Sequence, residues 1–82
     1  MYNYKNFYLL GGAESSRIYF YRSKDDTLVE ILSDGYFQEP KDNLYEGNVI
    51  YITGKEMDTA VLQIYYNEDE QVCLKQLNKG VT

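Results

Sequence analysis

Carboxylates are the first residues in this sequence that could do chemistry. Asp25-Asp26 and Glu68-Asp69-Glu70 set acids side by side, and two acids are the least that glycoside hydrolysis or a hard cation requires. Neither run spaces its oxygens at alternate positions around a central glycine, as a calcium loop does. Both read as solvated turns. Ser15-Ser16 stand next to Arg17, but the chain has no histidine, so no histidine-based nucleophile–base pair can be built. Gly11-Gly12 lacks the second half and the lysine of a phosphate loop. Cys73 is the single cysteine; it can form no internal disulfide and no structural zinc site. Its setting, "VCLKQL", predicts a small buried hydrophobe. No catalytic, metal or cofactor residue is expected, and the chain reads as non-enzymatic.

Tyrosine is the unusual feature. The chain holds ten tyrosines, three phenylalanines and no tryptophan, more rings than a small core needs. Tyrosine buries area while keeping a polar tip, which suits interfaces. Tyr2, Tyr4, Tyr19, Tyr21 and Tyr36 are the expected protein-contact residues. The run Tyr19-Phe20-Tyr21 with Arg17 and Arg22 also has the make-up of a nucleic-acid stacking platform. The net charge of −5 opposes phosphate binding, so core plus interface is the preferred reading. Charge is unevenly spread. Residues 1–24 set Lys5, Arg17, Arg22 and Lys24 against Glu14, whereas residues 25–82 hold twelve acids and four lysines.

Eighty-two residues make one domain, and a chain this short buries only about 60% of its unfolded surface. Without a disulfide or metal, oligomerisation is the expected reinforcement. No run of 18 apolar residues suggests a membrane span. No compact apolar segment near the N-terminus suggests a secretory signal, so the cytoplasm of the producing cell is the expected site of synthesis.

The elements that must position these residues follow from periodicity. Residues 1–10 read as a strand or an N-terminal arm, and 78–82 as a frayed tail. "RIYFYRS" is a strong strand. Ile18, Phe20 and Arg22 face one way, Arg17, Tyr19 and Tyr21 the other, and both faces are partly apolar. That predicts core on one side and a partner on the other. "DTLVEILSDGYF" begins with Thr27 and Glu30 at capping-box spacing, with Asp25 or Asp26 as alternative caps. Leu28, Val29, Ile31 and Leu32 keep helical spacing, and Gly35 ends it as a left-handed cap. "LYEGNVIYITG" gives a turn at 46–48 and a strand at 49–53. "TAVLQIYY" and "QVCLKQL" flank "NEDE" as a hairpin. The expected fold is mainly β: a small five- or six-stranded antiparallel sandwich or open barrel with one short helix near residues 27–34.

These same stretches, "DTLVEILSDGYF", "NLYEGNVIYI" and "AVLQIYY", resemble a small β module of tailed-phage virion proteins. The matching positions are Tyr19, Tyr21, Asp26, Thr27, Val29, Gly35, Tyr36, Phe37, Leu44, Gly47, Ile50 and the 60–66 strand, spanning about residues 17–66. Asn48 departs from the usual aspartate. The resemblance implies a head-fibre, capsid-decoration or tail component, often a homotrimer. Its partners would be copies of itself and capsid or tail proteins, with no nucleic acid and no membrane, in a virion assembled in a host cytoplasm. It assigns structural roles to Asp26, Thr27, Gly35, Phe37 and Gly47. In that arrangement the helix plugs one end of the sheet, Phe37 locks onto the core beside Ile50, and Tyr36 is left for contact. The alternative function is a small acidic phage-encoded inhibitor of a host defence or nucleic-acid enzyme.

Overall fold

The computed structural model describes residues 1–13 and 16–77. It is mainly β, as expected, with a single five-stranded sheet and one short helix. The strands are β1 (Phe7–Gly11), β2 (Ile18–Arg22), β3 (Val49–Thr53), β4 (Thr59–Tyr66) and β5 (Val72–Gln76), ordered β1-β2-β3-β4-β5 across the sheet. The helix α1 (Leu28–Ile31) lies between β2 and β3. The frayed tail expected at 78–82, and Ser15, lie outside the described residues.

Three strand pairs are antiparallel, but β2 and β3 run parallel, with Tyr19 opposite Ile50 and Tyr21 opposite Ile52. The expectation of antiparallel pairing throughout therefore fails at this one junction. The reason is the long connection. Residues 23–48 carry the chain back across one face of the sheet, so β3 enters from the same end as β2, as a crossover requires.

That connection supplies the cover for the inner face. Tyr19, Tyr21, Ile50, Ile52, Ala60, Leu62, Ile64 and Val72 project inward, and Ile31, Phe37 and Leu44 descend onto them. Thr27 caps α1 as its spacing predicts. Its hydroxyl accepts the Glu30 N–H at 3.2 Å, and the Glu30 carboxylate accepts the Thr27 N–H at 2.7 Å. The helix is a single turn, and only Ile31 is fully buried; Val29, expected to plug the sheet, is 81% exposed. At Gly35 φ is +83°, a conformation that side chains with a Cβ resist. The reversal there lets the Gly35 N–H reach the Val72 carbonyl at 2.9 Å, pinning the loop to the β5 edge. Gly47, with φ +98°, turns the chain into β3. Beside it the buried Asn48 side chain accepts the Tyr45 N–H at 3.0 Å.

Candidate functional site

Two groups of aromatic residues result, one on each face of the sheet. The inner group is a closed cluster. Tyr21 meets Phe37 edge-on at 5.0 Å between ring centroids and stacks on Tyr2 at 5.6 Å. Phe7 stacks on Tyr19 at 4.7 Å. Residues 1–6 fold over this cluster, with a short 3-10 turn at Tyr4–Asn6.

A chain of hydrogen bonds holds the cluster in one arrangement. The Tyr36 hydroxyl donates to the Asp26 carboxylate at 2.6 Å. Its single proton is then spent, so the 2.9 Å contact between Tyr21 and Tyr36 has Tyr21 as donor. The Tyr21 oxygen in turn accepts the Asn3 N–H at 3.0 Å. Asp26 also meets the terminal ammonium of Met1. That ammonium and the Tyr36 hydroxyl hold the Asp26 carboxyl below its usual range. Burial, then Asp26, pushes the Tyr36 phenol well up. Burial pushes Tyr2 up to about 12. These are neutral phenols kept dry, an arrangement that builds structure.

Several expected contact residues are therefore reassigned. Tyr19 and Tyr21 are 3% and 0% exposed and belong to the core. Tyr2 and Tyr36 are half-buried and close over them. Tyr36 is not left for contact, because its hydroxyl bridges Tyr21 and Asp26. Of the five, only Tyr4 stands out in solvent, at 67% exposure. Thr27 caps α1, Gly35 and Gly47 have positive φ, Phe37 is buried, and Asp26 accepts from the Tyr36 hydroxyl. Cys73 is buried as expected, and burial pushes its thiol up, with Asp34 adding to the effect.

The outer group lies on the opposite face. Tyr8, Phe20, Tyr51 and Val61 are consecutive partners across β1 to β4. Leu77, one residue beyond β5, donates its N–H to the Val61 carbonyl at 3.0 Å and extends the row. This apolar row runs the full width of the sheet. Tyr8, Tyr51 and Leu77 are exposed, and Phe20 and Val61 are partly so. Ile18 and Val49 flank it.

Charge on this face is equally uneven. No described strand contains an acid, although the chain has thirteen. Arg22 and Lys75 are the only charged strand residues, and the register puts both on the outer face. A single-residue scatter of exposed apolar side chains is ordinary on a small domain, whereas a contiguous row across a whole sheet is not.

The strand alternation separates Ile18, Phe20 and Arg22 from Tyr19 and Tyr21 but does not say which set faces the core, and the expected contacts Tyr19 and Tyr21 lie on the covered face. Tyr8 and Tyr51 escaped notice because their place in the row depends on strand order. A shallow hollow is lined by Leu32, Glu46, Leu62, Tyr65, Leu74, Lys75 and Gln76. It sets one acid and one lysine among apolar side chains. Among the described residues no group of three His, Cys, Asp or Glu side chains could hold a metal ion, and no helix is long and apolar enough to cross a membrane. In comparisons with known proteins, no family model, no curated protein and no solved structure matches this chain.

Proposed function

We propose that this protein is a non-enzymatic contact module whose working surface is the outer face of its sheet. The observation that carries the reading is the row Tyr8-Phe20-Tyr51-Val61-Leu77, left uncovered on a sheet whose other face carries the core. Burying such a row in a partner is worth roughly 25 cal/mol for each Å² of apolar surface. Aromatic residues are also the commonest anchors of interfaces.

The setting we propose is a phage virion, as a capsid-decorating or fibre-like component. That part rests on the resemblance of residues 17–66 alone. Its partners on this reading are copies of itself and capsid or tail proteins. Mass spectrometry of purified particles carrying the gene tests the setting. A structural component is present in many copies per particle. Its absence from particles, with the protein abundant in the infected cell, would reject the virion role.

A further inference from the structure

The sheet ends in β1 on one side and β5 on the other, and these edges differ. At β1 the turn Tyr4–Asn6 takes the Phe7 N–H, and the register slips between Leu9 and Gly11. A bulge of this kind blunts an edge. β5 instead keeps an unbroken register with β4 from Val72 to Gln76.

The bonds at its two ends fix which way its backbone groups point. The Asn67 N–H donates to the Gln71 carbonyl at 3.2 Å, and the Leu77 N–H to the Val61 carbonyl at 3.0 Å. Backbone groups of successive residues point to opposite sides of an antiparallel strand. Gln71, Cys73, Lys75 and Leu77 therefore turn theirs to the β4 side, and Val72, Leu74 and Gln76 turn theirs outward. The chain fills the first outward position itself. The Val72 carbonyl accepts the Gly35 N–H at 2.9 Å, and the Val72 N–H donates to Gln38 Oε1 at 2.9 Å. Among the described residues nothing meets the N–H or C=O of Leu74 or Gln76 on that side. A strand-wide slot beside β5 thus begins closed and continues open.

We infer that this open stretch, Leu74 to Gln76, takes an extended peptide of a partner protein as an added strand, with one aliphatic side chain of the peptide entering the hollow beside Leu32 and Leu62. It is a second interaction site, separate from the outer row. Donors and acceptors repeating along an edge are matched by an extended backbone, the basis of strand addition. Leu74 is opposite the core residue Ile64, so a peptide residue added across from Leu74 shares the inner face with it. On that face Leu32, Leu62 and Leu74 line the hollow. Glu46 and Lys75 at the same hollow carry one charge of each sign, so an apolar side chain rather than net charge selects the peptide. A second copy fits less well. β5 against β5 satisfies both open residues only with Leu74 across from Gln76, which sets Lys75 directly across from Lys75, and like charges so placed repel.

Amide hydrogen exchange of the full chain, read by NMR, tests the inference with the probe acetyl-Thr-Val-Thr-Leu-Thr-Val-Thr-amide. In the free chain Leu74 and Gln76 should exchange far faster than Cys73 and Lys75. Pairing at these two residues and one sheltered side chain give an expected dissociation constant on the order of 1 mM. At saturation the probe should slow Leu74 and Gln76 at least about tenfold. Methylation of the Val and Leu nitrogens, which face β5, should weaken the probe at least about tenfold, whereas methylation of the Thr nitrogens should not. Gln76→Pro removes an outward N–H and no bond to β4, so it should keep the far-UV circular dichroism and lose the slowing at Leu74. Phe20→Ser/Tyr51→Ser should bind the probe as the wild type does. Slow exchange at Leu74 and Gln76 in the free chain would show the slot already closed and overturn the proposal. So would protection at β1 or on the outer row instead, equal binding of the Val- and Leu-methylated probe, or self-association through β5 in place of probe binding.

Discussion

Tyr36→Phe removes one oxygen, and the hydrogen-bond chain gives its cost. The hydroxyl donates to the Asp26 carboxylate at 2.6 Å, and the Asp26 side chain is 14% exposed. A hydrogen bond to a charged group contributes about 1.5–3 kcal/mol. The same oxygen is the acceptor for Tyr21, whose side chain is 0% exposed. Stranding that buried donor costs about 1–3 kcal/mol more. Asp26 keeps the Met1 ammonium, which offsets part of the first loss. The net expectation is a destabilisation of about 2–4 kcal/mol, a large share of what a domain of this size possesses. Urea unfolding at pH 7, followed by circular dichroism, measures it. Tyr21→Phe and the double variant complete a mutant cycle, which should show coupling of at least about 0.5 kcal/mol. A loss below 0.5 kcal/mol for Tyr36→Phe, or additive effects in the cycle, would refute the idea that these hydroxyls act as one unit.

Further outcomes follow from the loops and from Asp26. Gly54→Ala would put a Cβ 2.6 Å from the Leu28 nitrogen and 3.1 Å from its Cα. That backbone can yield only by moving the start of α1, so a loss of about 1–3 kcal/mol in urea unfolding is expected. At Gly35 an added Cβ meets only the Gln71 side chain, at 3.4 Å. The cost of Gly35→Val comes mainly from the positive φ, about 1–3 kcal/mol, or a fall in Tm of at least about 4 °C; an unchanged Tm would reject the left-handed cap. The carboxyl of Asp26 is held low in the folded state, so the unfolded chain takes up its proton first. Its contribution is present above about pH 4 and is lost as pH falls below that value. Calorimetry between pH 6 and 2 should show a steeper fall in Tm for the wild type than for Tyr36→Phe.

Local pattern and long-range packing divided the legible from the illegible. The strands at 18–22, 49–53 and 59–66, the Thr27 capping box and the Gly35 reversal are decided by neighbouring residues, and each was visible in the sequence. The parity of Ile18-Tyr19-Phe20-Tyr21 was visible too. Which parity faces the core was not, because both faces are apolar and both carry rings. The choice is made by Phe37 and Tyr2, which reach Tyr21 from distant segments. Tyr36 was misread for the same reason, since its Asp26 partner is brought over by the intervening turn. The parallel β2–β3 pair depends on how residues 23–48 settle on the sheet, and no short motif records that. The contact row is the extreme case. Its members come from five separate segments, and only the strand order aligns them.

The central claim is that the outer face is the working surface. The most direct measurement compares wild-type chain with Phe20→Ser/Tyr51→Ser for occupancy on purified particles, counted by quantitative mass spectrometry. A Tyr4→Ala chain and a chain with Glu68, Asp69 and Glu70 reversed to lysine serve as controls away from the row. The account predicts at least a tenfold loss of occupancy for the row variant and near wild-type occupancy for both controls, at low and high salt alike. Equal occupancy of the row variant and the wild type would contradict it. So would a loss confined to the acid-reversed chain and abolished by salt, the pattern expected of the acidic-inhibitor alternative.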